Sequence, residues 1–376
     1  MSEQQPMPIY AVIMAGGSGE RFWPASRKQK PKQLLPLGAN GNTMLEEAIN
    51  RIAPIVPAER ILLITSQILR DPIIKATPQL PAANVIAEPC KRNTAPCLAL
   101  AAAEIIAREG SGNALMAVLT ADHFIGDAHV FRQDVTTALD HAATHNTLVT
   151  LGITPTRPET GFGYIEVQDV VQDNTHSAIP VVAFREKPSL ETALQYMHDG
   201  RHLWNSGMFF WRVDTLHTVM KTHLPEVGNA IDRLQHNIAI TKSNGEGIPQ
   251  ALQAIADTFA GLPDISIDYG VMEKASNVAV VPARFSWDDV GSWDALLRLN
   301  TPNANNTIVV GNVVDIENTN SILVNNSDVH VLGVLGVDDV VVVVSDNATM
   351  VCDRSKAQDV KRIVAALRES GRNDVL

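Results

Sequence analysis

Over the first two-thirds of the chain, short apolar runs rich in β-branched residues alternate with longer stretches of helical character. Tyr10–Met14, Ile61–Thr65, Asn84–Ala87, Leu115–Thr120 and Leu148–Ile153 are the runs, and near-continuous apolarity is the mark of strands buried on both faces. Between them Thr43–Ile52, the Ala-rich Ala95–Arg108 and Val130–His145 read as helices. Phe210–Ile248 reads as mostly helical and ends in the polar loop Lys242–Gly247. Strand–helix alternation predicts a doubly wound, Rossmann-like α/β sheet with its ligands at the carboxyl ends of the strands.

The pattern changes near Asn300. "NTPNANNT" is a turn-rich linker, and Thr307 to Val351 is a series of short β-like runs punctuated by Asn, Asp and Gly. This predicts a small all-β module, either coiled rungs or a meander, with no clean repeat period to choose between them. "DRSKAQDVKRIVAALRES" closes the chain as a helix, with Asp353 as N-cap and Val360, Ile363, Val364 and Leu367 on one face. Two domains are therefore expected, 1–300 and 301–376.

Composition narrows the chemistry. The 376 residues are 45% hydrophobic and 19% charged, with a net charge of −11. So acidic a chain is a poor partner for nucleic acid, and any phosphate ligand must meet a local cationic site. Three unevenly spaced cysteines (Cys90, Cys97, Cys352) make neither a disulfide framework nor a zinc pattern, which points to a reducing cytoplasm. The polar opening MSEQQPMPIY has no basic stretch of a signal peptide. The longest apolar run, near Asp339–Ser345, falls far short of the roughly 20 residues that span a bilayer.

One stretch carries the clearest chemistry: "AVIMAGGSGERFWPASRKQKPKQLLPL", Ala11 to Leu37. Glycines at 16, 17 and 19 let backbone N–H groups approach an anion, and Arg21, Lys28, Lys30 and Lys32 follow. The dinucleotide loop G-x-G-x-x-G fails at Phe22, and the Gly-Lys-Ser/Thr of a P-loop is absent. "GGSGERFWPASRKQKPKQ" instead resembles the signature of the sugar-phosphate nucleotidyltransferases, in particular their mannose-1-phosphate guanylyltransferase branch. Later blocks agree in order: "EPCKRNTAPCLA", "LTADHFI", "PTRPETGFGYIE", "FREKPS", "WNSGMFFW", "SIDYGVMEK" and "WDDVGSWDAL". Leu119-Thr120 stand where the family often has Pro, and Phe162 where it has Tyr.

The resemblance implies transfer of GMP from GTP to mannose 1-phosphate, with GDP-mannose and pyrophosphate as products. It assigns Arg21, Lys32 and Lys187 to catalysis. Ala15, Gly16, Gly17, Gly19, Glu88, Arg92, Asn93 and Asp122 fall on the nucleotide side. Gly161, Gly163, Glu186, Asn205 and Asp268 fall on the sugar side. Asp122 and Asp289 are the expected ligands of one Mg²⁺, since the family's metal carboxylate precedes Val-Gly; Asp288 reads as a turn residue. Mg²⁺ commonly takes one or two carboxylates plus substrate phosphates, and His123 is a poor ligand for so hard an ion. Thr94 is expected to cap the Ala-rich helix. The i, i+4 pair His141 and His145 reads as surface. The family also implies a homodimer, and with too little chain after "WDDVGSWDAL" for a second catalytic domain, a single activity is expected. A sister nucleotidyltransferase specificity and a non-catalytic nucleotide-sugar-binding regulator are the alternatives.

Overall fold

The computed structural model describes residues 6–37, 41–172, 175–243 and 247–376. The first five residues of the polar opening and the centre of the Lys242–Gly247 loop lie outside them. β1 (Ile9–Met14), α1 (Met44–Ile52), β2 (Ile61–Ser66), α2 (Gln67–Ala76), β3 (Val85–Glu88), α3 (Thr94–Glu109) and β4 (Leu115–Thr120) make the opening half. The short β5 (Phe124–Ile125) is followed by α4 (Ala128–His145), β6 (Leu148–Ile153), β7 (Gly163–Val167), β8 (Ile179–Glu186), α5 (Leu190–Asp199) and β9 (His202–Arg212). Then come α6 (Val213–His223), α7 (Pro225–Lys242), α8 (Ile248–Ala260), β10 (Val278–Pro282), β11 (Trp287–Asp288) and α9 (Ala295–Leu299).

Nine strands form one sheet in the order β3-β2-β1-β4-β9-β6-β10-β8-β7. β3, β2, β1 and β4 run parallel, as do β6 and β10, while β9 runs antiparallel between β4 and β6. Successive residues of each central strand feed opposite cores. Val12, Leu62 and Ile64 join α3 and α7, whereas Ala11, Ile13 and Leu63 join α1 and α4. This two-sided burial explains the unbroken apolar runs. The alanines of α3 are almost wholly buried and let it lie close against α7. At α1, Thr43 and Glu46 form a reciprocal capping box (Thr43 N to Glu46 Oε2 2.7 Å; Glu46 N to Thr43 Oγ1 3.2 Å).

Two expectations need correction. Phe210–Arg212 is strand, not helix: β9 is buried along most of its length and turns directly into α6 at Arg212. Asn93, not Thr94, caps α3. Its φ of 64° and its side-chain bond to Thr94 N (2.9 Å) place it outside the helix. The Thr94 hydroxyl instead accepts from Ile267 N at 2.8 Å, fastening the Asp268 segment to α3.

The C-terminal module consists of coiled rungs. β12 (Ile308–Val310), β14 (Ile322–Asn325) and β16 (Val340–Ser345) pair in parallel, and β13 (Val313–Ile316) pairs in parallel with β15 (Leu332–Leu335). β17 (Ala348–Asp353) closes the stack antiparallel to β16. Asp353 caps a 3-10 turn over Arg354–Val360, which leads into α10 (Lys361–Glu369). A third core joins this module to the sheet domain: Phe22, Trp23, Val290 and Trp293 pack with Ile322, Val341, Val343, Met350, Val360 and Val364. Among the described residues, no helix is long and apolar enough to cross a membrane.

Candidate active site

The Gly-rich loop leaves the carboxyl end of β1 under tight backbone control. The Ala15 carbonyl accepts from the Gln33 amide (2.8 Å) and the Thr65 hydroxyl (2.9 Å), both buried, and Ala15 N donates to Ile64 O at 2.8 Å. Gly16 and Gly17 follow with no Cβ obstruction. Gly19 has φ +60°, and a Cβ there would lie 2.5 Å from the Lys32 Cβ. Only glycine satisfies both demands. The Gly19 carbonyl accepts from the Ser26 hydroxyl at 2.7 Å, closing the loop on itself. The exposed Arg21 then faces a cavity of about 390 Å³, together with Lys32, Asp122 and Asp289.

Lys32 is the hinge of this cavity. It is 5% exposed. Its ammonium lies 3.0 Å from Asp122 Oδ2 and donates to the Asp289 carbonyl at 2.8 Å. Burial pushes the Asp122 carboxyl up, but Lys32 and His123 more than offset it and leave it below the usual range. Burial and the neighbouring Asp288 push the Asp289 carboxyl up, with Lys32, Arg157 and Arg298 compensating in part. A half-buried carboxylate short of positive charge fits a cation. Among the described residues no group of three or more His, Cys, Asp or Glu gathers. Two carboxylates alone fit a hard divalent ion that completes its shell with phosphate and water oxygens. His123 is driven down to about 4 by burial, so its ring is neutral at pH 7. Its Nδ1 accepts from Trp287 Nε1 at 3.2 Å.

Asp288 and Asp289 are adjacent but differently employed. Asp288 is 4% exposed, accepts Arg298 Nε (2.6 Å) and Nη2 (3.1 Å), and accepts Val290 N at 2.8 Å. Both of its oxygens are committed to the fold. Asp289 turns to the cavity, and a Cβ on Gly291 would press its Oδ2 at 2.8 Å.

On the far side of the sheet end, Glu186, Asp268 and Asn205 gather. Asn205 Nδ2 donates to Asp268 Oδ1 at 2.7 Å. Burial and then Asp268 lift the Glu186 carboxyl to about 7, opposed by Lys187. Burial also lifts Asp268, opposed by Asn205. A Cβ on Gly163 would collide with Glu186 Oε1, and Gly161 N donates to Glu159 Oε1 at 3.1 Å. Lys187 adopts φ +48°, with its N–H on the Phe162 carbonyl at 3.1 Å. A non-glycine residue holds this conformation only where its surroundings fix it. Arg157 was not singled out from the sequence, although it lies inside the "PTRPETGFGYIE" block. It lies over the Trp204 ring at 5.1 Å and approaches Asp289 Oδ1 at 4.0 Å, linking the two halves of the site.

Beside the Gly-rich loop, Glu88 ends β3 with its Oε2 3.7 Å from where a Gly16 Cβ would be. Burial lifts its carboxyl to about 7, opposed by a hydrogen bond from the Cys97 thiol. Asn93 caps α3, and Arg92 Nη2 donates to the Ala260 carbonyl at 2.7 Å. The raised Glu88 has a consequence for stability. Its folded pKa exceeds the unfolded value, so its contribution is fully present below about 4.3 and is lost as pH rises through about 7. Glu88→Gln removes that loss. The variant is expected to gain stability at pH 8, by on the order of 2 kcal/mol, and little or none at pH 4.5. Urea unfolding at both pH values measures this, and an equal change at both would refute it.

The nucleotidyl transferase family matches residues 10–306. A MannoseP isomerase/GMP-like beta-helix domain matches residues 311–367. A mannose-1-phosphate guanylyltransferase of Escherichia coli (strain K12) is 36% identical, covering 97% of this chain and 75% of that protein. The xanthan biosynthesis protein XanB of Xanthomonas campestris is 35% identical, covering 97% and 74%. A solved Thermus thermophilus structure, named there a mannose-1-phosphate geranyltransferase, superposes with TM-score 0.82 at 36% identity, covering 96% of this chain and all of that one.

Proposed function

The chain belongs to the nucleotidyl transferase family, in its mannose-1-phosphate guanylyltransferase branch, and from that premise we propose that it transfers GMP from GTP to mannose 1-phosphate. GDP-mannose and pyrophosphate are the products. The observation that carries this reading is the convergence of Arg21, Lys32, Asp122 and Asp289 on one cavity at the strand ends. We assign residues 1–300 to the catalytic unit and 301–376 to the β module with its helix.

A phosphate oxygen of mannose 1-phosphate attacks the α-phosphorus of GTP, and the bond to the β-phosphate oxygen breaks. The sugar phosphate has its second pKa at about 6, so its nucleophile needs no general base near neutrality. The barrier is the alignment of two polyanions and the spread of their charge. Arg21 and the Gly16–Gly19 backbone hold the outer phosphates. Lys32 sits beside the α-phosphate. Lys187 pairs with the sugar phosphate, while Glu186 and the Asn205–Asp268 pair receive sugar hydroxyls. Glu88 and Asn93 lie toward the base. Arg92, with its Nη2 on the Ala260 carbonyl, stands beside Asn93 on the same nucleotide side. Asp122 and Asp289 would hold Mg²⁺, which when bound supplies Lewis-acid neutralisation of phosphate charge. The reading carries with it a cytoplasmic location, supported by three free cysteines, and a homodimer taken from the family.

Pyrophosphate release from the purified protein with Mg²⁺ and mannose 1-phosphate tests this, run in parallel with GTP, ATP, UTP, CTP and dTTP. Release with GTP is expected to exceed the others by at least about tenfold, as base discrimination by buried hydrogen-bonding groups allows. Preference for another nucleotide would move the chain to a sister specificity. Silence with all five and with other sugar phosphates would leave a nucleotide-sugar-binding regulator.

A further inference from the structure

The C-terminal module is held against both loops of the active site. The 3-10 turn Arg354–Val360 packs on the 3-10 turn Glu20–Phe22 of the Gly-rich loop. Arg368 pairs with Glu20 at 2.9 Å, and Gln358 Nε2 donates to Ser292 Oγ at 2.8 Å. Trp23 Nε1 donates to the Val375 carbonyl at 2.8 Å. These ties fix the first residue of α10, Lys361, on the wall of the 390 Å³ cavity that holds Arg21, Lys32, Asp122 and Asp289.

Among the described residues, Lys361 makes no ion pair and no side-chain hydrogen bond. By contrast, Arg354, Arg368 and Arg372 of the same module each have a carboxylate partner. An exposed ammonium without a counter-charge, in a chain of net charge −11, therefore faces the cavity where the anionic substrate would lie. Lys32, Asp122 and Asp289 line the same cavity, but α10 itself packs on Glu20–Phe22 of the Gly-rich loop, which places Lys361 toward the outer phosphates; Glu186, Lys187 and Asp268 do not line the cavity.

We propose that Lys361, carried by the C-terminal module, contacts the β- and γ-phosphates of the bound triphosphate and the pyrophosphate they become. The proposal rests on the nucleotidyl-transfer reading above. A charge-assisted phosphate contact at a partly open site is worth about tenfold in binding. Lys361→Ala is thus expected to raise the KM for GTP, and the KM for pyrophosphate in the reverse direction, by about tenfold. The KM for mannose 1-phosphate stays within about twofold, and Lys361→Arg restores most of the loss because the phosphate contact is retained. Arg362→Ala removes the same charge one residue on, at a different hollow lined by Cys352 and Asp359, and is expected to change none of the three constants. An unchanged KM for GTP and pyrophosphate in Lys361→Ala would overturn the proposal. So would an equal rise in Arg362→Ala, which would indicate a general field.

Calorimetric titration with inorganic tripolyphosphate and Mg²⁺ needs no turnover. Tenfold weaker binding by Lys361→Ala, with a parent that turns over no sugar phosphate, would keep this inference and reject the guanylyl-transfer reading. Equal tripolyphosphate binding by parent and variant, with an active parent, would do the reverse.

Discussion

Asp289→Asn is expected to lower kcat by about two to three orders of magnitude, the range seen when one group facing developing charge is lost. The fold should not suffer. Burial and Asp288 already disfavour the Asp289 carboxylate, so a neutral amide relieves rather than creates strain. Asp288→Asn should behave in the opposite way. Its two oxygens hold the Arg298 fork at 2.6 and 3.1 Å and it is 4% exposed. Neutralising it breaks a charge-assisted pair whose arginine is one-third exposed, at a cost of about 1–3 kcal/mol. Mg²⁺ dependence of turnover and urea unfolding of the two variants separate the cases. A fully active Asp289→Asn beside an inactive Asp288→Asn would put the metal ligand one residue earlier.

Lys32→Met is expected to reduce kcat/KM for GTP by a similar factor, about two to three orders of magnitude, because the ammonium acts where the α-phosphate must be held. Methionine keeps the buried stem, so the loss is chiefly of charge. A second readout is independent of substrate. Asp122 is held below the usual range by Lys32 in the parent. A carboxyl depressed in the fold contributes stability above its unfolded pKa and loses it as pH falls through the folded value. The stability gap between parent and Lys32→Met should therefore be larger at pH 7 than at pH 3. An active variant with a pH-independent gap would reduce Lys32 to a packing residue.

The parts of this site legible in the sequence are those in which chemistry and local backbone coincide. Among the glycines before Arg21, Gly19 has a local reason to be glycine, its φ of +60° and its contact with Lys32, while Gly16 and Gly17 are read only from the pattern. The choice of Asp289 over Asp288 as the expected metal ligand rests on the family resemblance, through the Val-Gly that follows it. β1, β2, β4 and β6, buried on both faces, show as unbroken apolar runs, whereas the equally buried β10 is not among the runs read from the sequence. Nor is β9, because it passes into α6 with no turn residue between, and its Phe and Trp side chains suit either element. Adjacent Asn93 and Thr94 are both good caps, and only the positive φ of Asn93 decides between them. The coiled rungs of the C-terminal module hid their period because successive paired residues, Ile308, Ile322 and Val341, are unequally spaced. The role proposed for Lys361 depends on a packing event more than 300 residues from the loop it meets, and no local pattern encodes that.

The core shared by Phe22, Trp23, Val290, Trp293 and the rungs joins two reactive loops that are remote in sequence. The two loops touch directly, through Lys32 on the Asp289 carbonyl and Trp293 on the Trp23 carbonyl, and both also lean on the module. The C-terminal module is therefore not cargo that can be traded among relatives as a neutral appendage. A graft that fits its own coil but meets Trp23 and Trp293 with a different surface would retune the reaction while every catalytic side chain stayed in place.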